Sequence, residues 1–179
     1  RRGYTMIKLK VGVEGGRTPN EDVRRIQAVR DAIGPDIGLM LDAYNVWRAS
    51  TAVQVANRLR DLDIMFLEEP VFADDIPGLA QFKRGTDIPL ATGEHEYTKF
   101  GVRDLILAQA ADYVQCDVTR CGGFTEMLKI IGMTQAWNLA FAPHGMEYMH
   151  MHLMSAAPNA VFLERLFMFE EVSEMVLKE

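Results

Sequence analysis

The chain has 179 residues, 49% of them apolar and 25% charged, an ordinary balance for a folded domain with one sizeable core. A net charge of −6 and a pI near 5.3 argue against nucleic-acid binding, which needs basic surface to neutralise phosphates. No apolar run approaches the roughly 18–20 residues that span a bilayer, so no membrane role is expected, and the opening RRGYTMIKLKVG is too short and too mixed for a signal peptide. Cys116 and Cys121 make neither a disulfide framework nor a zinc motif, so a reducing cytoplasm is the expected compartment.

Taken in order, MIKLK at the start reads as a strand that opens the chain without an initiator methionine, as in a piece of a longer protein. Asn20 is expected to cap a helix through about Ile33, with Glu21 and Asp22 in its first turn and Gly34-Pro35 ending it. IGLMLD is the second strand. Ser50 or Thr51 then caps a helix in which Val53, Ala56, Leu59 and Leu62 repeat at helical spacing. IMFLEE is the third strand, followed by a short helix from Ile76 to Lys83. IPLATGE is the fourth, followed by a helix over 99–110. YVQCD is the fifth, after which Gly122-Gly123 opens a helix through about Trp137 with Met127, Leu128, Ile131 and Met133 as apolar positions. LAFAPH is the sixth, 148–156 is helical, and VFLER is the seventh. Strands alternating with helices predict one α/β domain over 1–179, with a parallel sheet and right-handed crossovers.

Each apolar run ends in an ionisable residue: Lys10, Asp42, Glu68, Glu94, Asp117, His144 and Glu164, at intervals of 32, 26, 26, 23, 27 and 20 residues. Such an interval holds one strand, one covering helix and two loops, and in a βα-barrel the strand C-termini carry the chemistry. Asp42, Glu68 and Glu94 end three successive strands. Adjacent strands lie about 4.8 Å apart, so the three carboxylates converge and would repel. A hard divalent cation such as Mg²⁺ removes that conflict, whereas the plain alternative is three unrelated surface acids. Lys8 and Lys10 alternate on one strand and point the same way. Two ammonium groups so placed are expected to depress each other's pKa and make Lys10 a competent base; otherwise they are solvated edge lysines. Asp117 beside His144 would fix the imidazole tautomer and raise its basicity, or His144 is a structural loop histidine. Glu164 either hydrogen-bonds a substrate oxygen or pairs with Arg165 or Lys129. His95 follows Glu94 and is a candidate for the pocket lining. His150 and His152 in MHMHL lack a third soft ligand and read as helix or loop positions.

Lys8-Leu9-Lys10, Asp42, Glu68-Glu69-Pro70, Gly93-Glu94, Asp117 with Cys121-Gly122-Gly123, Pro143-His144-Gly145 and Glu164 together resemble the enolase superfamily, in its mandelate racemase subgroup. The resemblance covers the whole chain. It implies strands 2–8 of a TIM-type (β/α)7β barrel, without the first barrel strand or the N-terminal capping domain. It further implies Asp42, Glu68 and Glu94 as Mg²⁺ ligands, Lys10 and His144 as acid/base catalysts on opposite faces of the substrate, and Asp117 as the partner of His144. Lys8 would tune Lys10, and Glu164 would hydrogen-bond the substrate carboxylate as it becomes an enediolate. The stretch from Gly93 to Thr98 with Phe100 to Arg103 resembles acid-sugar dehydratases, rhamnonate dehydratase in particular, so Asn45, His95 and Arg48 would read substrate hydroxyls. The expected reaction is conversion of a small-molecule sugar acid to a 2-keto-3-deoxy sugar acid. A racemase or epimerase using the same bases, and an inert truncated barrel, are the alternatives. Family members usually assemble as homo-oligomers.

Overall fold

Side-chain alternation along the first three strands decides which residues cover the sheet and which face the site. The computed structural model describes residues 3–169 and Met175. On β1 (Met6–Lys10), Ile7 and Leu9 pack against the main core, while Met6, Lys8 and Lys10 take the other face. On β2 (Gly38–Asp42), Leu39 and Leu41 join that core, and Met40 and Asp42 alternate to the inner face. On β3 (Ile64–Glu68), Leu67 faces the core and Phe66 the interior; a bulge opposite Leu39 and Met40 restores the alternation so that Glu68 follows Phe66. Three short strands complete the sheet: β4 (Leu90–Thr92), β5 (Tyr113–Val114) and β6 (Ala140–Phe141). All five pairings are parallel and the order is β1-β2-β3-β4-β5-β6. With helices between the strands this is the α/β barrel architecture expected from the alternation.

The helices are α1 (Val13–Gly16), a single distorted turn, α2 (Pro19–Ile33), α3 (Ala49–Asn57), α4 (Ile76–Gly85), α5 (Thr98–Leu107), α6 (Phe124–Ala136) and α7 (Glu147–Met154). Two starts differ from expectation. Thr18, not Asn20, precedes α2, because Pro19 brings a preset φ suited to a first helical turn. Arg48 precedes α3, and neither Ser50 nor Thr51 caps it. Asp75 does cap α4, its Oδ1 accepting from the Gly78 amide at 3.0 Å. Ile26, Val55, Leu79 and Phe82 from the helices are buried against Leu39, Leu41, Leu67 and Leu90 of the sheet. A second core joins Val114 and Phe141 to Ile106, Met127 and Ile131. On the inner side, Phe66 stacks on Phe162 at 5.9 Å and meets Tyr113 at 5.1 Å between ring centroids.

The expected seventh strand, VFLER, is not a ladder. Its Val161 amide donates to the Phe141 carbonyl at 3.0 Å, and the one bridge to β6 is formed by the preceding residue, Ala160, with Phe141. Among the described residues six strands form the sheet, and no ladder joins β6 to β1. No helix among them is long and apolar enough to cross a membrane.

Candidate active site

Register places the first three groups in one row. Lys10 pairs with Asp42 and Asp42 with Glu68, but Glu68 pairs with Ala91, not with Glu94. The equal intervals that suggested three acids in register count loop residues. Glu94 stands three residues beyond Ala91, in the loop after β4, as Asp117 and His144 stand in the loops after β5 and β6. The loops nevertheless bring these groups to the same end of the sheet. Glu94 Oε2 lies 3.4 Å from His144 Nε2.

Every carboxylate of the row has a cation. Lys10 Nζ is ion-paired with Asp42 Oδ2 and lies 4.7 Å from the Tyr44 ring centroid. Asp42 Oδ1 accepts from the Tyr44 amide at 2.9 Å. Lys8 Nζ donates to Glu68 Oε2 at 2.5 Å and is also ion-paired with Glu164. This overturns the expectation that Lys8 is depressed by its neighbour. Burial works to lower the Lys8 pKa, but the charges of Glu68 and Glu164 and the hydrogen bonds to them outweigh it, and the net direction is up. Lys8 is an ammonium held between two acids.

Glu68 is pushed up, by burial first and then by Asp42 and Glu164, against the pull of Lys8. Glu164 goes down. Burial would raise it, but Lys8, the Gly145 amide and His144 prevail. Its Oε2 accepts from Gly145 N at 2.8 Å, and Lys129 pairs instead with Glu126. As an anion Glu164 accepts hydrogen bonds, so donating one to a developing oxyanion would first require a proton.

Asp117 and His144 form the expected dyad, with Oδ2 and Nδ1 3.1 Å apart. Thr119 donates to Asp117 Oδ1 through its amide at 2.8 Å and its hydroxyl at 2.7 Å. Burial pushes Asp117 up, but these bonds prevail and hold it at about 2. His144 is raised: burial lowers it, and Asp117, Glu94 and Glu164 more than compensate. With Nδ1 committed to Asp117, Nε2 is the ring nitrogen that faces Glu94.

The remaining expected residues divide. Asn45 Nδ2 donates to Glu69 Oε2 at 2.6 Å, and His95 Nδ1 lies 2.8 Å from Glu69 Oε1. His95 is partly open, with Nε2 3.9 Å from Glu94 Oε1. Arg48 is exposed ahead of α3 and makes no hydrogen bond or ion pair with the site among the described residues.

Sequence reasoning missed four participants. Gln115, buried, donates from Nε2 to Glu68 Oε2 at 2.9 Å; it lies two residues before Asp117, a spacing that could have flagged it. Arg120 Nη1 reaches Glu94 Oε1 at 3.2 Å. Glu69 anchors Asn45 and His95, and Thr119 holds Asp117. The last three depend on loop paths that carry no sequence period.

The residues fit a divalent cation. Glu68 Oε1 is buried with no hydrogen-bond partner, and a cluster in which carboxylates outnumber nearby cations has a carboxyl pushed up by burial and like charge. Oxygen donors of this kind suit a hard ion. Among the described residues, the tightest set of ligand atoms is Glu69, Glu94 and His95, all within 4.8 Å of one another. It shares only Glu94 with the expected trio.

A family model described as enolase C-terminal domain-like matches residues 1–179. The chain is 39% identical over 164 residues to an L-talarate/galactarate dehydratase of Salmonella typhimurium, covering 90% of this chain and 40% of that protein. It is 32% identical over 167 residues to an L-rhamnonate dehydratase of Saccharopolyspora erythraea, covering 92% of this chain and 42% of that protein. Among solved structures, a racemase from Streptomyces coelicolor with bound magnesium superposes with a TM-score of 0.87 at 30% identity, over 90% of this chain and 48% of that one. The chain thus spans less than half the length of these relatives.

Proposed function

Because this chain belongs to the enolase superfamily, through its C-terminal domain-like family, we propose that the whole protein removes the proton α to the carboxylate of a sugar acid. Loss of the β-hydroxyl follows, giving a 2-keto-3-deoxy product. One observation carries the reading: the two acid/base candidates engage different carboxylates of the group, Lys10 at Asp42 on the strand row and His144 at Glu94 in the loop after β4. A substrate between them would meet one group on each face.

Asp42, Glu68 and Glu94 would hold Mg²⁺, which when bound offsets negative charge on the substrate carboxylate. The chain's own residues do the rest. Lys10 takes the α-proton at Nζ, and to do so it must leave Asp42 and lose its own proton. Lys8 stays protonated, and its charge stabilises the developing dianion at close range. His144 carries a proton on Nε2, while Asp117 keeps Nδ1 occupied and the ring oriented. Delivering that proton to the departing hydroxyl releases water, and the enol left behind takes a proton from solvent at the β-carbon to become the 2-keto-3-deoxy acid. Returning the His144 proton to the α-carbon instead would make the protein a racemase or epimerase. Asn45 and His95, set by Glu69, and Arg48 at the rim are the groups for reading hydroxyls. The assembled enzyme is a homo-oligomer in this reading.

The test is proton NMR of the full-length protein with Mg²⁺ in D₂O, against a panel of aldonic and aldaric acids that includes talarate, galactarate and rhamnonate. New methylene signals beside a ketone support dehydration. Loss of the α-proton signal without elimination moves the assignment to racemisation. No exchange on any acid, and no Mg²⁺ binding by calorimetry, leaves an inert barrel.

A further inference from the structure

His150 is fully buried in α7, six residues past His144, and has no place in the chemistry above. Its ring is nonetheless bonded at both nitrogens. Nε2 accepts from the Val118 amide at 2.9 Å, and Nδ1 lies 2.6 Å from the Gly145 carbonyl oxygen. A backbone amide can only donate and a backbone carbonyl can only accept. The ring is therefore neutral, with its hydrogen on Nδ1. Burial, only partly opposed by the Gly145 bond, also holds its pKa below the ordinary imidazole value.

The two backbone groups it joins are adjacent to the two members of the dyad. Val118 follows Asp117, and Gly145 follows His144. A closed ring results: Asp117 to Val118, across His150 to Gly145, back along the chain to His144, and through the 3.1 Å contact to Asp117 again. Gly145 is held from its other side as well, its amide donating to Glu164. The dyad lies on two loops after two-residue strands, where sheet hydrogen bonds give little control. We propose that His150 is a positioning residue, a neutral imidazole crosslink that sets the distance and angle between Asp117 and His144. MHMHL thus holds an alignment element rather than a metal pair.

The activity arm rests on the dehydratase or racemase reading; the spectroscopic arm does not. In the full-length protein, His150→Phe keeps a flat ring and removes both bonds, while His150→Gln keeps one donor and one acceptor. The expected results for His150→Phe are a loss of kcat of at least about tenfold, because a small misplacement of a catalytic group is enough, and a KM within about twofold of wild type. His150→Gln should recover part of kcat. Independently, the downfield Nδ1–H proton of His144, identified by its absence in His144→Asn, should weaken or exchange faster in His150→Phe. Nitrogen-15 shifts of wild-type His150 should report the neutral Nδ1–H form. A folded His150→Phe that keeps both kcat and the His144 signal overturns the proposal. If His150→Phe fails to fold, an Nε2–H or cationic His150 in the wild type overturns it. If the wild type turns over no acid on the panel, the proposed function fails, and the His144 signal still decides this one.

Discussion

Replacing Lys8 by methionine tests whether this lysine is the buried counter-ion of Glu68 and Glu164. Its side chain is 15% exposed, and its two partners, Glu68 and Glu164, are 1% and 9% exposed. Removing one member of a buried ion pair costs about 3–5 kcal/mol, since a charge is left without compensation. The lower end applies here. Burial and the neighbouring acids already push Glu68 upward, so a proton can replace part of the lost charge. At about 2–4 °C per kcal/mol for a domain of this size, a loss of about 3 kcal/mol lowers Tm by about 6–12 °C. Lys10→Met is the contrast. That lysine is 65% exposed, its pair is worth about 0–1 kcal/mol, and its Tm should fall by no more than about 4 °C. The assay is a thermal melt of the full-length protein at pH 7, read at the unfolding transition of this domain, first in EDTA and then with Mg²⁺. Added Mg²⁺ should raise Tm more in Lys8→Met than in wild type, because a divalent ion replaces the missing positive charge. A Lys8→Met melt within about 2 °C of wild type in EDTA would refute the reasoning, as would equal losses from the two lysines.

Further predictions concern titration and the buried polar groups. In a metal-free NMR titration, His144 should titrate above and His150 below the ordinary histidine value, because acids surround the first and burial governs the second. The His144 contribution to stability is full below the unfolded pKa and is lost as pH rises through the raised folded one. A melt series on the alkaline side should show that loss, and His144→Gln should abolish it. Asp117 has the opposite sign. Its contribution is present above its unfolded pKa and is lost as pH falls toward about 2, so Asp117→Asn should flatten the acid limb of stability. The same substitution should lower kcat by roughly 10²–10⁴-fold, as expected when a general acid/base loses its orienting partner. Gln115→Leu removes a donor from Glu68, and calorimetry should show Mg²⁺ affinity falling by about 10–100-fold. An unchanged affinity would remove Gln115 from the site.

The inner-face groups were legible because a strand has a period of two: once MIKLK, GLMLD and IMFLE are strands, Lys8, Lys10, Asp42 and Glu68 must share a side. The pairing of Asp117 with His144 followed from their places after successive strands. What failed was inference about charge. Two lysines in a sequence look mutually repulsive, and nothing local reveals that Glu164, far along the chain, will meet Lys8. Equal spacing misled for Glu94 because interval length adds strand, helix and loop without distinguishing them. VFLER has the composition of a strand, but composition does not supply a partner ladder, and the one bridge there is formed by Ala160 just before it. Gln115, Glu69 and Arg120 could not be ranked above other polar residues, since their roles depend on which buried oxygen each one reaches.

The site divides into a half carried on strands and a half carried on loops, and this predicts how each half tolerates change in chain length. One residue inserted within β2 or β3 would turn Asp42 or Glu68 to the wrong face, because strand register admits no partial shift. One residue inserted between Gly93 and Thr98 would alter only a loop path, whereas one inserted after Asp117 would displace the Thr119 and Val118 ties that hold the dyad. Length variation should therefore be tolerated best in the loop that carries Glu94. The lysine side admits change only by replacing one residue with another.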